Sequence, residues 1–379
     1  MRSLDIARDS CDRYHPGLLK ALAAVPFGDR EARGSSAVGL LREHGGVGLL
    51  VPAEYGGHAA DPVEAVRVMR AIGSLSPSLA AAATMHHFTV AMLYSLAEEA
   101  GRLTDAQLAL LKDIVPGQRL LASGWAEGRT EQNILSPAVT ARPVDGGYRL
   151  DGAKKPCSLS RSMSLLTASI AVPRADGARE LALALVPADS PGLSVHPFWA
   201  ADVLAAAESD EVRLEDVFVP DDLVVRTSAD DPGRLDDLQT AGFIWFELLV
   251  TAGYAGAMST LAERVLERGR GSISDRTSVA IGAEAAFALV EGTARAVRDG
   301  LAGEAAVASV LVARYAVQTA LSTAGDQALE LLGGLDFIRA AEHARLVSGI
   351  RALAFHPPSR SSSAEALSTY LGGGELQLS

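Results

Sequence analysis

One acidic residue stands alone in a long apolar stretch of the sequence. Glu247 lies within GFIWFELLVTAGYAGAM and is the only charged residue between Asp237 and Glu263. A carboxylate in such surroundings is costly to bury unless it is paired, and burial raises its pKa. Such carboxylates are enriched at active sites, where they can take a proton from a substrate. Glu247 is therefore a candidate general base, and the alternative is a structural acid in the core or at a subunit contact.

A histidine and a cysteine–serine pair offer further chemistry. His356 precedes two prolines in the tail, and an imidazole can give or take a proton near neutral pH. Cys157 and Ser158 follow an alternating run, and a serine hydroxyl and backbone N–H there can donate hydrogen bonds. The alternatives are a surface histidine, a small buried hydrophobe at Cys157 and a solvated serine.

These residues belong to three segments with different patterning. Residues 1–117 place apolar residues at helical spacing, and Thr104 to Gln107 fits a capping box. Residues 118–233 carry short alternating runs separated by turn residues, a pattern typical of β-strands. Residues 234–379 return to long apolar stretches with helical character. The sequence predicts an α+β protein with an N-terminal all-α domain, a middle β-sandwich or barrel domain and a C-terminal four-helix bundle.

Composition excludes several classes of function. The net charge of −12 argues against a nucleic-acid-binding surface. The two cysteines, Cys11 and Cys157, are far apart and have no metal-like spacing, so neither a disulfide framework nor a metal site is expected. The first residues lack the apolar core of a secretion signal, and no apolar run reaches the ~18–20 residues that span a bilayer. We expect a cytoplasmic protein that does not bind membranes.

Several motifs, in the right order, resemble those of the acyl-CoA dehydrogenase superfamily. Residues 48–57 are similar to its early G-[LI]-x-x-x-P-x-x-[YF]-G-G, and residues 214–220 to its strand ending in V-x-V-P. Residues 332–337 resemble its late [LF]-G-G-x-G-[YF]. Glu127 and the segment 152–158 keep the spacing between its Thr-Glu-Pro strand and G-x-K-x-W-[IV]-[TS]. The resemblance covers nearly the whole chain and implies the α, β, α fold of that family.

The resemblance implies a bound flavin, FAD or, for a monooxygenase, FMN. In the family, the positions of Cys157 and Ser158 face the flavin N5, where reduction places charge and donors are needed. This chain has Pro156 where the family usually has Trp, and it lacks the family's Arg-x-x-Phe-Gly clamp. The implied cofactor-binding residues are Trp125, Ala126, Glu127, Gln132, Pro156, Cys157, Ser158, Arg270, Gly333 and Gly334.

The family's usual reaction is α,β-dehydrogenation of an acyl thioester, and this is the leading hypothesis from the sequence. The substrate would be carried by CoA or a carrier protein, with Glu247 as the base and a separate electron acceptor. The position of the family's usual C-terminal Glu is Pro357 here. His87 and Tyr254 are assigned to the substrate. The family also implies a homotetramer or a homodimer.

The tail supports an alternative of the same fold. Residues 351–358 are similar to the R-T-H-x-x-H-D-P of flavin monooxygenases of the dibenzothiophene-monooxygenase kind, with matches at Arg351, His356 and Pro358. His356 would then be the catalytic residue, and a flavin reductase would be the partner. A second alternative is a non-catalytic member of the family, because several motifs are lost.

Overall fold

The computed structural model describes residues 1–98, 102–128, 137–174, 177, 179–226 and 237–378. The chain begins with helices: α1 (Arg2–Tyr14), α2 (Leu18–Ala24), α3 (Phe27–Arg30), α4 (Ala37–Glu43), α5 (Pro62–Leu75), α6 (Pro77–Ala97) and α7 (Asp105–Lys112). Polar side chains begin the longer ones. Asp61 caps α5, Ser76 caps α6, and Thr104 with Gln107 forms the predicted capping box on α7.

The strands follow as β1 (Leu121–Gly124), β2 (Thr140–Val144), β3 (Gly147–Cys157), β4 (Leu165–Pro173), β5 (Arg179–Pro187), β6 (Leu193–His196), β7 (Asp210–Pro220) and β8 (Val224–Arg226). Within the described residues they form one eight-stranded sheet in the order β6-β7-β3-β2-β4-β5-β8, with β1 parallel to β4. The long antiparallel pair β3–β7 ends with Cys157 opposite Asp210. This register delivers Ser158 and Ser209 side by side at one end of the sheet.

One glycine of β3 has a backbone that other residues rarely adopt. Gly152 has φ +148°, and a Cβ there would lie 2.8 Å from Cγ2 of Val139 and 3.0 Å from its Cα. Only glycine avoids both the strained backbone and this contact. The close approach lets β3 continue past a bulge toward Cys157.

The rest of the chain is helical again: α8 (Asp237–Arg268), α9 (Ile273–Arg298), α10 (Gly303–Leu332), α11 (Gly334–Arg339), α12 (Ala341–Arg351) and α13 (Ala364–Leu371). Helix α8 crosses α5 at very short range. A Cβ on Gly73 would meet the carbonyl oxygen of Gly253 at 2.0 Å, and one on Gly256 would meet that of Arg70 at 2.1 Å. These glycines let the two backbones touch and join the first and last helical segments into one core.

The predicted α, β, α order and the α+β fold class are confirmed. The β segment is a single mixed sheet in its described part, where a sandwich or barrel was expected. Two helical segments, Thr240–Arg268 and Gly303–Leu332, are long and apolar enough to cross a bilayer. Their most apolar windows are 78% and 56% buried within the fold, as in the core helices of globular proteins.

Candidate functional site

A large cleft lies where the sheet meets the helices on either side of it. It encloses about 1290 Å³ of empty space, part of it open to solvent. Its walls come from α6, the ends of β1 and β3, the start of α8, the loop before β7, and the segment 356–358. The lining is dominated by methionine, phenylalanine, tryptophan, alanine and proline. A cleft of this size and polarity can hold a ring system together with a small apolar molecule.

Helix α6 forms one wall through a single stripe of side chains. Ala81, Met85, Phe88 and Met92 recur at helical spacing and all line the cleft. His87 faces away from it, and both of its ring nitrogens are buried without a partner in the described part of the chain. Burial lowers the pKa of His87 well below the ordinary value, so its ring is neutral. His87, predicted to contact the substrate, therefore does not line the cleft.

His86, also behind the wall, ties α6 to the sheet. Its Nε2 lies 2.9 Å from the carbonyl oxygen of Val47, and its Nδ1 accepts the N–H of Leu121 at 3.1 Å. These two bonds require the neutral ring with the proton on Nε2. Burial lowers the pKa of His86 to about 4, which keeps the ring in that form at neutral pH. The bond to Leu121 fixes the start of β1, the strand that leads to Trp125.

The ends of β1 and β3 form the second wall. Trp125, Ala126, Pro156 and Ser158 line the cleft. The hydroxyl of Ser158 lies 2.9 Å from that of Ser209, which also lines it. The indole N–H of Trp125 is buried and has no hydrogen-bond partner among the described residues. This wall therefore presents a hydroxyl pair and a free indole donor beside apolar surface.

Beneath this wall lies a buried ion pair. Lys154 Nζ donates to Glu127 Oε1 at 2.6 Å and to the hydroxyl of Ser169 at 2.9 Å. The Glu127 carboxylate also accepts the backbone N–H groups of Ala138 and Val139. Burial would raise the pKa of Glu127, but Lys154 and these donors lower it below its usual range. The Glu127 side chain supports the strand ends and does not line the cleft.

Helix α8 forms the third wall, and its acid points elsewhere. Gly242, Phe243 and Phe246 line the cleft, whereas Glu247, one position further, is turned by ~100° into the core. There Arg314 Nη1 of α10 donates to Glu247 Oε1 at 2.7 Å, with both side chains at most 1% exposed. Burial raises the pKa of Glu247 to about 7, although Arg314 opposes the rise. Glu247, predicted as a catalytic base, therefore faces Arg314 and does not line the cleft.

The segment after α12 closes the cleft. His356 lines it together with Pro357 and Pro358, and His356 Nε2 lies 2.8 Å from the hydroxyl of Tyr254. Burial, and then the charge of Arg314, lower the pKa of His356 to about 3, so the imidazole is neutral. Tyr254 itself is buried behind His356 and does not line the cleft. The hydroxyl of Tyr254, a residue predicted to contact the substrate, lies against His356.

Other predicted residues lie away from this cleft. The Cys157 thiol is buried, 3.6 Å from the carbonyl oxygen of Ser123, and burial raises its pKa to about 12. Arg270 donates to the carbonyl oxygen of Leu332 beside Gly333, at the far end of α10, and Gly334 begins α11 there. Gln132 lies outside the described residues.

The sequence also contained a signal for Arg314, which was not among the predicted site residues. Arg314 is the only charged residue between Glu304 and Asp326, in a stretch as apolar as the one around Glu247. Two isolated opposite charges on two buried helices predict an ion pair, because either alone would be costly to bury. Trp199 and Ser209 lie in an irregular loop and on its border with β7, where periodicity gives no signal.

Comparisons with known proteins cover the whole chain. Residues 24–103 match the family described as acyl-CoA dehydrogenase, N-terminal domain. Isobutylamine N-hydroxylase of Streptomyces viridifaciens is 58% identical over 378 residues, which is 100% of both chains. Amino sugar nitrososynthase DnmZ of Streptomyces peucetius is 26% identical over 378 residues, covering 92% of this chain and 88% of DnmZ. The solved structure of KijD3 in complex with FMN and dTDP-3-amino-2,3,6-trideoxy-4-keto-3-methyl-D-glucose has a TM-score of 0.86 at 22% identity, covering 98% and 95% of the two chains.

Proposed function

Because this chain belongs to the acyl-CoA dehydrogenase superfamily of flavin-dependent enzymes, we propose that it is a monooxygenase that hydroxylates the nitrogen of a small apolar amine. The observation that carries the proposal is the titratable side chain at the cleft. Among the described lining residues that side chain is His356, while the buried acid Glu247 faces Arg314. Dehydrogenation of an acyl thioester, the first hypothesis from the sequence, needs a carboxylate at the substrate. The identity to an isobutylamine N-hydroxylase supports the same choice.

The cleft fits a flavin ring. Trp125, Ala126, Pro156 and Ser158 would hold it, since they combine apolar surface with the unpaired indole N–H and the serine hydroxyl. FAD or FMN would serve, and a flavin reductase would provide the reduced form. Reduced flavin would supply the two electrons with which O₂ gives one oxygen atom to the substrate and the other to water. The net reaction is R–NH₂ + O₂ + reduced flavin → R–NHOH + H₂O + oxidised flavin.

The remaining walls suit an alkylamine. Met85, Phe88, Phe243 and Phe246 can bury a short branched alkyl group away from water. Oxygen transfer to nitrogen uses the nitrogen lone pair, so the amine reacts in its neutral form. Apolar walls favour the neutral form over an ammonium ion. The imidazole of His356 is neutral and adds no charge to this part of the cleft.

The test is oxygen transfer from labelled O₂. Purified protein is mixed with NADH, a flavin reductase, FAD or FMN, catalase, ¹⁸O₂ and a panel of primary alkylamines. We expect hydroxylamines carrying one ¹⁸O atom, and we expect His356→Asn to lower their rate of formation by about 10²-fold or more while the protein stays folded, because a fixed hydrogen-bond donor is lost.

A second panel separates the two enzymatic hypotheses. The oxidised holoenzyme is mixed anaerobically with acyl thioesters of different chain length. We expect the flavin absorbance to persist. Bleaching by a thioester, together with no labelled hydroxylamine from any amine, would favour a dehydrogenase instead.

A further inference from the structure

We propose that Arg314, Glu247 and Tyr254 are positioning residues that hold the segment 356–358 and present the Nδ1–H of His356 to the cleft as a fixed hydrogen-bond donor. The inference deepens the proposed function, because it assigns the support of the side chain that faces the substrate. It is carried by the contacts of one buried arginine and one buried tyrosine.

Arg314 holds the segment by its main chain. Its Nη2 donates to the carbonyl oxygens of His356 and, at 3.1 Å, Leu353, while its Nη1 lies 3.4 Å from that of Pro357. Prolines at 357 and 358 supply no N–H for regular secondary structure. The guanidinium is therefore the group that satisfies these carbonyls and fixes the path of the chain beside the cleft.

Glu247 fixes the arginine. Its Oε1 accepts Nη1 of Arg314 at 2.7 Å, so the guanidinium is held from α8 on one side and holds the segment 356–358 on the other. A lysine at 314 could not reproduce this, because it lacks the planar fork that reaches a carboxylate and several carbonyls together. The pair therefore sets where the His356 ring lies relative to the Phe246 side of the cleft.

Tyr254 sets the tautomer of His356. Within the described residues, the hydroxyl of Tyr254 has His356 Nε2 as its partner, at 2.8 Å. Burial raises the pKa of Tyr254 above its usual value, so the phenol keeps its proton. Its O–H therefore donates a hydrogen bond to Nε2 of His356. A neutral imidazole that accepts at Nε2 carries its proton on Nδ1. Since His356 lines the cleft, that N–H is the group available to a ligand.

The surroundings keep the ring in this state. The titratable or charged groups described around His356 are Tyr254 of α8 and Arg314 of α10, with Glu247 behind the arginine. The ring also packs edge-on against Phe246, with centroids 5.7 Å apart. A second proton on His356 would place a cation next to the buried guanidinium of Arg314. His356 is therefore a donor of fixed direction at neutral pH and not a group that cycles its proton.

The first test reads the imidazole directly. Protein labelled with ¹⁵N-histidine is titrated by NMR from pH 5.5 to 8, with His356→Asn to assign the signal. We expect a neutral ring protonated at Nδ1 throughout this range. Tyr254→Phe should shift the tautomer toward Nε2–H, and Arg314→Met should bring the titration of His356 into the range. Spectra of both variants that equal the wild type would overturn the proposal.

The second test separates positioning from stability. Arg70 of α5 is the matched control. It is 0% exposed, lies outside the cleft, and donates to Ser259 of α8, the helix that also carries Glu247. We expect Arg314→Lys and Glu247→Gln to lower kcat for the amine by about 10–10²-fold with little change in KM. Arg70→Lys should lower the thermal midpoint similarly and leave kcat unchanged. An equal loss of kcat in Arg70→Lys would mean that Arg314 acts only through stability. If no amine is hydroxylated by the wild type, the proposed function fails, and the NMR experiment still decides the roles of these residues.

Discussion

Two buried ion pairs lie behind different walls of the cleft, and their hydrogen-bonding groups are satisfied to different degrees. Lys154–Glu127 supports the strand ends, and its carboxylate also accepts two backbone N–H groups while its ammonium reaches Ser169. Arg314–Glu247 supports the segment 356–358, but Glu247 Oε2 and Arg314 Nε have no partner among the described residues. Surplus donors lower the pKa of one carboxylate, and burial raises that of the other. The carboxylate of Glu127 therefore has several donors within the sheet, whereas the carboxylate of Glu247 has Arg314 as its one described side-chain donor.

The largest expected effect comes from removing the cation of each pair. Arg314→Met leaves Glu247 buried without a partner, so we expect a loss of about 3–5 kcal/mol in the free energy of unfolding. Lys154→Met leaves Glu127 with the N–H groups of Ala138 and Val139, so the loss should be smaller. Urea unfolding at pH 7 measures both. A larger loss for Lys154→Met would contradict the distinction between the pairs.

A medium effect is expected in the pH dependence of the two acids. Glu127 has a lowered pKa when folded, so its ionised form adds stability above its unfolded pKa, and this is lost as the pH falls through the folded pKa. Glu247 has a pKa raised to about 7, so the folded state binds its proton more tightly and stability falls as the pH rises from ~4.5 to 7. The destabilisation by Glu127→Gln should therefore grow from pH 4 to 7, and that by Glu247→Gln should shrink. Parallel pH profiles for the two variants would be inconsistent with these pKa directions.

The smallest expected effect concerns the hydroxyl above the first pair. Ser158→Ala removes one hydrogen-bond donor from the wall proposed to hold the flavin, worth about 0.5–1.5 kcal/mol, so the Kd for FMN or FAD should rise by about 2–12-fold. Fluorescence titration measures it. Ser160→Ala is the control, since that hydroxyl donates to the carbonyl oxygen of Glu208 and does not line the cleft. Equal Kd values for wild type and Ser158→Ala would argue against this contact.

The sequence predicted the order of the helical and β segments and the family, because both can be recognised from local sequence patterns. Helical and alternating periodicities change near residues 118 and 234, and short motifs keep their spacing over the whole chain. The capping box at Thr104 and the family resemblance are confirmed. Such features depend on neighbours in the chain, so one sequence is enough to find them.

The site was less predictable because it depends on the direction in which each side chain points and on contacts between segments that are distant in the sequence. The burial of Glu247 follows from its apolar surroundings and is observed, and this burial raises its pKa to about 7. Its direction does not follow, since one helical position separates it from the cleft-lining Phe246. Its partner Arg314 and the His356 carbonyl come together only when α8, α10 and the tail pack.

The ring of His86 has a consequence for how ligands enter and leave. It bridges Val47 and Leu121 through both nitrogens, so the α6 wall and the β1 wall move as one body. Separating them would break the hydrogen bond between the buried His86 ring and the N–H of Leu121. Widening of the cleft for ligand exchange is therefore not expected between these two walls. Substrate and product would enter and leave past other parts of the lining, with the two tied walls as the fixed frame.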